Sequence, residues 1–451
     1  MMKQQNRLFP SHGLLRTALR VGLIAGFGML AACAESEVRL SGEREDVFAS
    51  SRSLSVDEAA FAELAGLGAP VVNDEFGHPG VTAAHDGGHL SVELPLNRLW
   101  SARVADTDTD IVTLAQPVAV KGKVFALGAD ALLSVFDLET GEVLAELQVD
   151  DAEDGLYPGV AGGLAANQSV VAVHAGRKIL TLIDASTYEV IWTVEHDQPL
   201  SGGPTLITDE GVVVTDIDGS SLAFRLNDGV LVWQSAGLPA DTVVLGSGSP
   251  AVRDGAVITA GIGGEVSANA VNDGGLLWAD SLATLAPRTP LEELGDILAE
   301  PVHDGEAIYV VSQSGLLGAY DPLTGILLWD QPISSVQTPW VAGDSLFVLT
   351  SNSHIVALRK ADGAVRWHTD LPGSAELGRI SATDVARYVG PVVAAGQVHV
   401  ISASGRLYSL NADTGEQVST TSLGGAVNVH PVIVQNTLVV LSRDGRLRAY
   451  R

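Results

Sequence analysis

The sequence predicts an all-β protein, an eight-bladed β-propeller built from four-stranded antiparallel blades. Short runs of alternating apolar residues are separated by Gly, Asp and Ser turns, which is typical of antiparallel hairpins. This unit recurs eight times at a spacing of roughly 38 to 52 residues, the period of propeller blades. The 49 glycines and the low aromatic content of 5% also fit many strands joined by tight turns.

The unit from Pro301 to Trp329 shows the pattern most clearly. Four short strands are predicted in it, at 301–303, 307–312, 316–320 and 326–329. In the second of these, Ile308 and Val310 are expected to face one side of the sheet, and Tyr309 and Val311 the other. A sheet of this size cannot bury both faces alone, so it must pack between two similar units.

The same landmarks return along the chain. Each unit except the one at Gly163 begins near a proline: Pro117, Pro204, Pro250, Pro301, Pro339, Pro391 and Pro431. The turn before the last strand carries Asp or Asn followed by Gly in most units, as such turns require. A tryptophan follows that turn in five units, at Trp192, Trp233, Trp278, Trp329 and Trp367, while Leu144 and Val418 stand near its position in two others.

The last unit predicts how the ring closes. It supplies three strands, at 432–434, 437–442 and 446–451, and lacks a fourth. The stretch Leu99 to Val104 fits the missing strand, because it carries Trp100 after an apolar residue. We therefore expect residues of about 99–104 to pair with the C-terminal blade, which removes the open sheet edge.

The N-terminus resembles a bacterial lipoprotein signal. A basic stretch up to Arg20 and a short apolar run lead into Leu30-Ala31-Ala32-Cys33. The resemblance implies a lipid on Cys33 and an outer-membrane location; an ordinary signal peptide is the alternative. We predict a signal peptide at 1–32, a tether and surface-packed segment at 33–95, and the propeller at 96–451. Since Cys33 is the only cysteine, disulfides are excluded.

Charge excludes one class of partner. The chain has 26 basic and 54 acidic side chains, for a net charge of −28. Such a body repels nucleic acid backbones, so we predict no nucleic acid partner.

Three histidines lie close together before the first unit, at His78, His85 and His89. Their density suggests a metal site. We favour the alternative, a Gly- and Pro-rich segment that packs along the propeller surface without a metal site, because no Cys or Glu-x-x-His pattern accompanies them.

The pattern Asp-x-x-Thr-Gly-x-x-x-Trp, clearest from Asp321 to Trp329, resembles the repeat of pyrroloquinoline-quinone (PQQ) propellers. With the lipoprotein signal and eight units, the chain resembles the BamB family of the β-barrel assembly machinery (BAM). The resemblance implies a non-enzymatic scaffold without cofactor. It also implies binding to BamA and other BAM subunits, help in inserting outer-membrane proteins, and attachment to the periplasmic face of the outer membrane through Cys33.

The same resemblance suggests partner-binding residues in two connections between units. Leu294, Asp296, Ile297 and Pro301 match a family loop implicated in binding BamA, and Leu298 replaces its second Asp. A second family loop falls at Val244 and Leu245, where only the following glycine matches strictly. The alternative is that both stretches are ordinary connections between blades.

Other functions stay open at this stage. A quinoprotein dehydrogenase would need a cofactor pocket with a calcium-ligating carboxylate and usually a vicinal Cys pair, and the pair is absent. A periplasmic propeller that binds another ligand or a cell-envelope component is also consistent with the repeat, because fold does not determine function. A blade edge that receives a nascent outer-membrane strand is neither supported nor excluded.

Overall fold

The repeated runs of alternating apolar residues form eight antiparallel sheets, each of which packs against its neighbours in a ring. This computed structural model describes residues 54–104, 114–128, 130–150, 162–208, 210–237, 248–282, 296–372 and 388–451. They confirm the predicted eight-bladed propeller. The domain boundaries that we placed after residues 32 and 95 stay predictions.

The elements follow the repeat closely. One short helix and two strands precede the first blade: α1 (Glu58–Ala62), β1 (Glu75–Phe76) and β2 (Arg98–Arg103). Blades 1 and 2 contain β3 (Val118–Val120), β4 (Lys123–Leu127), β5 (Leu132–Asp137), β6 (Val143–Gln148), β7 (Gly163–Ala166), β8 (Val170–His174), β9 (Ile179–Asp184) and β10 (Val190–Glu195). Blades 3 and 4 contain β11 (Leu200–Ile207), β12 (Gly211–Asp216), β13 (Ser221–Arg225), β14 (Leu231–Ser235), β15 (Ala251–Arg253), β16 (Ala256–Ala260), a 3₁₀ turn (Ile262–Gly264), β17 (Glu265–Ala270) and β18 (Leu276–Ser281).

Blades 5 and 6 contain β19 (Val302–His303), β20 (Ile308–Val311), β21 (Leu317–Tyr320), β22 (Leu327–Gln331), β23 (Trp340–Ala342), β24 (Ser345–Leu349), β25 (His354–Arg359) and β26 (Val365–Asp370). Blade 7 contains β27 (Tyr388–Ala394), β28 (Gln397–Ser402), β29 (Arg406–Asn411) and β30 (Gln417–Ser422). Blade 8 contains β31 (Val432–Val434), β32 (Thr437–Ser442) and β33 (Arg446–Tyr450), with β2 as its outermost strand. In every blade the first strand lies innermost and neighbouring strands are antiparallel.

The apolar core lies between blades rather than at one centre. As expected, Ile308 and Val310 pack in one apolar cluster together with residues of blade 4. Tyr309 and Val311 pack in another, together with residues of blade 6. Blade 5 thus buries both of its faces against its two neighbours, and the stability of such an array depends on these contacts between adjacent units.

The ring closes where the sequence predicts it. Strand β2 pairs antiparallel with β33, from Arg98 opposite Tyr450 to Arg103 opposite Arg446. Asn97 and Arg451 then exchange two backbone hydrogen bonds of 2.9 Å. The N-terminal strand therefore supplies the missing edge of the last blade.

Six of the seven tryptophans have one shared role, as the repeat predicts. Each indole N–H donates to a main-chain oxygen in the last turn of the next blade, over 2.7–2.9 Å, in the pairs Trp100–Leu138, Trp192–Leu226, Trp233–Val271, Trp278–Pro322, Trp329–Lys360 and Trp367–Ala412. The ring also lies against the glycine of that turn. Each tryptophan therefore fastens one blade to the next.

Blade 1 lacks this tryptophan and uses a different contact. The register places Ala145 at the position, one residue after Leu144. The next turn accordingly has Tyr188 where the other turns have glycine. Lys123 Nζ donates to Ala185 O over 3.2 Å and lies 4.6 Å from the centre of the Tyr188 ring. A lysine thus replaces the indole as donor to the equivalent carbonyl.

The chain before β2 forms a strap around the axis of the ring. Residues 73–93, which we call the strap, bond to the end of the first strand, or to the turn after it, in every blade. The partners follow the order of blades 8, 1, 2, 3, 4, 5, 6, 7 and 8: Asn73 with Gln435, Glu75 with Val120, Gly77 with Ala166, His78 with Leu206, Ala83 with Val252, Ala84 with His303, Gly88 with Val341, Leu90 with Val393 and Glu93 with Asn436.

The strap makes the two faces of the propeller different. It covers the face that carries the turns between first and second strands, which we call the turn face. The opposite face, the connection face, carries the links between successive blades and the turns between second and third strands. A partner that approaches the axis of the ring from the turn face therefore contacts the strap first.

Candidate partner-binding face

The described residues of the predicted partner site lie on the connection face. Asp296, Ile297 and Leu298 end the link between β18 and β19. Val244, Leu245, Leu294 and Cys33 lie outside the described residues. Partner binding by the first three, and all the roles assigned to the other four, stay predictions.

Asp296 is a buried anchor of this link. Its side chain is only 2% exposed, and its Oδ1 accepts a hydrogen bond from the Gly263 backbone N–H over 2.7 Å. Gly263 lies in the 3₁₀ turn of blade 4 with a φ of 67°, which favours glycine. The carboxylate therefore binds the link to a neighbouring turn instead of projecting into solvent.

Ile297 and Leu298 differ in exposure. Ile297 is fully buried in the apolar cluster between blades 4 and 5, and its N–H donates to Gly261 O over 3.0 Å. Leu298 is partly exposed. Of the three described candidates, Leu298 is the one that offers apolar surface to a partner.

The two links that carry the candidate residues touch each other within the described part of the chain. Gly248 ends the link between blades 3 and 4, and a Cβ added to it would lie 2.6 Å from Ala299 O. The backbone of one link thus touches that of the other. The described ends of the two links, at Gly248 and Ala299, are therefore in contact.

Glu300 adds an unusual carboxyl to this surface. Its backbone N–H donates to Thr338 Oγ1 over 3.2 Å, which places it beside the start of blade 6. Burial raises the pKa of the Glu300 carboxyl to about 7. The sequence gives no sign of this, because the residue reads as one more acidic side chain in a loop.

The three N-terminal histidines bind backbone atoms of different blades. His78 Nε2 accepts from Leu206 N–H at 3.1 Å, and His85 Nδ1 lies 2.8 Å from Pro301 O. His89 Nε2 accepts from Gly396 N–H at 2.8 Å. These contacts give the histidines a structural role in the strap, in place of the metal site that their spacing suggested.

Burial keeps two of these histidines neutral. It lowers the pKa of His78 to about 3, with a further contribution from His85, and the pKa of His85 to about 4. Within the described ranges, no group of three or more His, Cys, Asp or Glu side chains has a geometry that could hold a metal ion. No helix in this part of the chain is long and apolar enough to cross a membrane.

Two family models match the chain. Residues 154–369 match the model described as outer membrane protein assembly factor BamB. Residues 330–440 match the β-propeller domain of glucose, ethanol and alcohol dehydrogenases. The two matched ranges overlap at residues 330–369, mainly in blade 6.

Individual relatives and solved structures are also similar to the chain. An outer membrane protein assembly factor BamB of Yersinia pestis is 26% identical over 364 residues, which cover 78% of this chain and 88% of the relative. The crystal structure of BamB from Moraxella catarrhalis superposes with a TM-score of 0.66 at 22% identity and covers 79% of this chain and 99% of that one. A quinohemoprotein alcohol dehydrogenase from Pseudomonas putida HK5 has a TM-score of 0.65 at 14% identity, with 87% and 81% covered. These structural likenesses show the shared propeller fold.

Proposed function

We propose that the chain is a non-enzymatic scaffold of outer-membrane β-barrel assembly. The reason is its membership of the family of PQQ-like repeat propellers that includes BamB. In this proposal its connection face at blades 3 to 5 binds BamA within the BAM complex. The scaffold thereby aids the folding and insertion of outer-membrane proteins.

The observation that carries the proposal is the fixed link at Asp296. Its carboxylate bonds to Gly263, and Ile297 is buried beside it, so the backbone is held before any partner arrives. A partner that docks on the partly exposed Leu298 then pays little ordering entropy, which favours affinity. The strap lies on the opposite face and does not cover Leu298.

The acidic body and the N-terminal signal give the proposed setting. A lipid on Cys33 would hold the propeller at the periplasmic face of the outer membrane. With a net charge of −28, the body itself is repelled by anionic lipid, so the anchor rather than the propeller surface provides attachment.

A pull-down with BamA tests the contact face. The Leu298→Asp variant, alone and combined with Val244→Glu, is expected to lower recovery of BamA from solubilised membranes at least tenfold. Leu323→Asp is the matched control, because Leu323 is 88% exposed on the turn face. Unchanged recovery with the Leu298 variants, at unchanged melting temperature, would show that this face is not the contact.

The anchor is tested separately by Cys33→Ser. The variant is expected in the soluble periplasmic fraction, whereas the parent protein stays with outer membranes. If both fractionate with the outer membrane, the lipid on Cys33 is not the anchor.

The dehydrogenase family match keeps one second function open to test. It covers residues 330–440, and the solved dehydrogenase is only 14% identical. A quinone absorption band in protein purified from its natural membranes would support a cofactor enzyme and contradict the scaffold.

A further inference from the structure

The outermost strands of blades 4 and 5 expose two leucine pairs. Leu276 and Leu277 precede Trp278 in β18, and Leu327 and Leu328 precede Trp329 in β22. These four leucines, which we call the leucine rim, are between 40% and 65% exposed. The indole after each pair reaches the next blade, so the rim is the part of each motif that packing leaves uncovered.

Blade 6 shows how the chain itself covers this position. The equivalent residues, Val365 and Arg366, are only 3% and 2% exposed because α1 and the residue before it lie on them. Asp57 N–H donates to Val365 O over 2.9 Å, and α1 begins at the next residue. Arg366 Nη1 donates to the carbonyl oxygens of Ala60 and Glu63 at the end of the helical turn.

A β-bulge in each outer strand favours docking of a helical turn over the addition of a straight strand. The pairing register skips Leu277, Leu328 and Arg366, each directly before its tryptophan. A bulge interrupts the ladder that a straight added strand would need. One backbone hydrogen bond followed by a helical turn, as in blade 6, fits such an edge.

Charge distinguishes the rim from the covered blade. In blade 6, Glu63 of the covering segment lies 3.1 Å from Arg359, so an acidic segment meets a basic edge. Residues 265–282 and 316–333 contain no Lys or Arg. They contribute exposed Asp273 and Asp280 beside the rim of blade 4. The edge of blade 4 thus matches a segment of the opposite charge, whereas Leu328 of blade 5 lines a groove that holds both Glu306 and the basic Arg359 and Lys360.

We infer that the leucine rim docks a short amphipathic segment of another polypeptide, with apolar residues on one side and Lys or Arg around them. The segment binds as residues 57–63 bind to blade 6: one extended residue bonds to the strand edge, and a helical turn lays its apolar side on the leucines. This surface lies on the outer edge of the ring, away from the Asp296 link, so it is independent of the function proposed above.

A labelled peptide tests the inference directly. The probe is a fluorescein-labelled 14-mer with the sequence of residues 54–67 in which Asp57, Glu58 and Glu63 are each replaced by Lys. Fluorescence anisotropy with the full chain is expected to show saturable binding in low salt. The Leu277→Ser/Leu328→Ser variant should weaken it at least fivefold. High salt should also weaken it several-fold, because the contact is partly electrostatic.

Two controls distinguish binding at the leucine rim from nonspecific hydrophobic or electrostatic binding. Val418→Ser removes an exposed apolar residue at the same position of blade 7, where Gln417 breaks the pair, and should change the affinity less than twofold. The unaltered acidic 14-mer should bind at least fivefold more weakly than the basic probe. Melting temperatures of all variants are compared, so that loss of folding is not read as loss of binding.

Four results would overturn the inference. The first three are that the basic peptide shows no saturable binding, that the acidic peptide binds equally well, and that the double variant leaves binding unchanged. The fourth is evidence that the leucine rim binds something other than a peptide segment. Self-association in sedimentation that the double variant abolishes would assign the rim to a second copy of the chain. Flotation with phosphatidylcholine vesicles that depends on the same leucines would assign it to lipid.

Discussion

The indole ring of Trp329 lies directly on the α-carbon of Gly363 in the next blade. A Cβ on Gly363 would be 2.5 Å from the ring's Cε3, closer than real Cβ contacts come. The same turn supplies Lys360 O as acceptor for the indole N–H at 2.8 Å. The glycine therefore serves two purposes, since its φ of 71° suits the turn and its missing side chain admits the neighbouring ring.

Gly363→Ala should destabilise the propeller more than an alanine at an open glycine. Gly255→Ala is the control, because Gly255 has a φ of 78° with no atom within 4 Å of an added Cβ. Both variants lose about 1–2 kcal/mol to backbone strain, and Gly363→Ala should lose about 1–3 kcal/mol more through overpacking. Urea unfolding measures both. Equal losses would mean that Trp329 moves aside freely.

The exception in blade 1 predicts a coupled pair. Ala145→Trp alone should gain no stability, because Tyr188 occupies the place that glycine has elsewhere and Lys123 already bonds to Ala185 O. Combined with Tyr188→Gly, the new indole can lie on the turn. A double-mutant cycle by urea unfolding should show favourable coupling of about 1 kcal/mol. Additive effects would contradict the pairing of tryptophan with glycine.

Two adjacent glycines separate clash from strain in the strap. A Cβ on Gly87 would lie 2.2 Å from Trp340 Cζ2, whereas one on Gly88 would meet nothing within 4 Å, although Gly88 has a φ of 69°. Gly87→Ala should therefore loosen the strap, seen as faster hydrogen exchange at Gly88 and Leu90 N–H. Gly88→Ala should affect exchange at Leu90 far less. The reverse ranking would show that backbone strain, not the Trp340 contact, limits the strap.

Buried histidines should make the fold acid-sensitive. Burial lowers the pKa of His85, His174, His399 and His430 to about 4, and that of His78 to about 3. Because these folded-state pKa values lie below about 6.5, the stabilisation is complete above pH 6.5 and is lost as pH falls toward 4. At pH 5 the loss should be roughly 1–2 kcal/mol per histidine, measured by urea unfolding at several pH values.

A pair of substitutions tests whether buried histidines cause this dependence of the unfolding free energy on pH. His399→Gln should flatten the dependence of the unfolding free energy on pH between 6.5 and 5, whatever its effect at pH 7. His368→Gln, at a histidine whose side chain is exposed, is the matched control for the loss of an imidazole as such. A slope unaffected by His399→Gln would show that this histidine does not contribute.

Glu300 should act at the opposite end of the pH range. Its pKa of about 7 lies above the ordinary carboxyl value, so the folded state favours the neutral acid. Stability from this group is complete at low pH and is lost as pH rises through 7. Glu300→Gln should therefore raise the melting temperature at pH 8.5 relative to the parent and change it little at pH 5. No gain at pH 8.5 would mean that the carboxylate is well solvated.

The repeat made most of the ring predictable from sequence. Alternation over Ile308–Val311 and the lone Trp100 before the first unit were enough to place the strands and the closing strand β2, because both features repeat a template. The strap was not predictable in this way. It makes only a few hydrogen bonds with each of the eight blades, so Glu75–Phe76 is its only strand among the described residues and no periodicity results.

The site was predictable only in part, for a related reason. Resemblance located the link at Asp296 but treated its carboxylate as a contact group. Burial of Asp296 against Gly263 depends on how blade 4 folds, and the local sequence does not show this. The same holds for Glu300, because the burial that raises the pKa of its carboxyl follows from how the blades pack and not from the local sequence.

The strap also sets the order in which the molecule can be completed during synthesis. Asn73 and Glu93 bond to Gln435 and Asn436, more than 300 residues later in the chain, and β2 pairs with the last strand. Such contacts cannot form until the ribosome has released almost the whole polypeptide, and contacts of long sequence separation form slowly. A segment that emerges before all eight blades is thus among the last to find its place, and it must stay free of wrong partners while the blades assemble behind it.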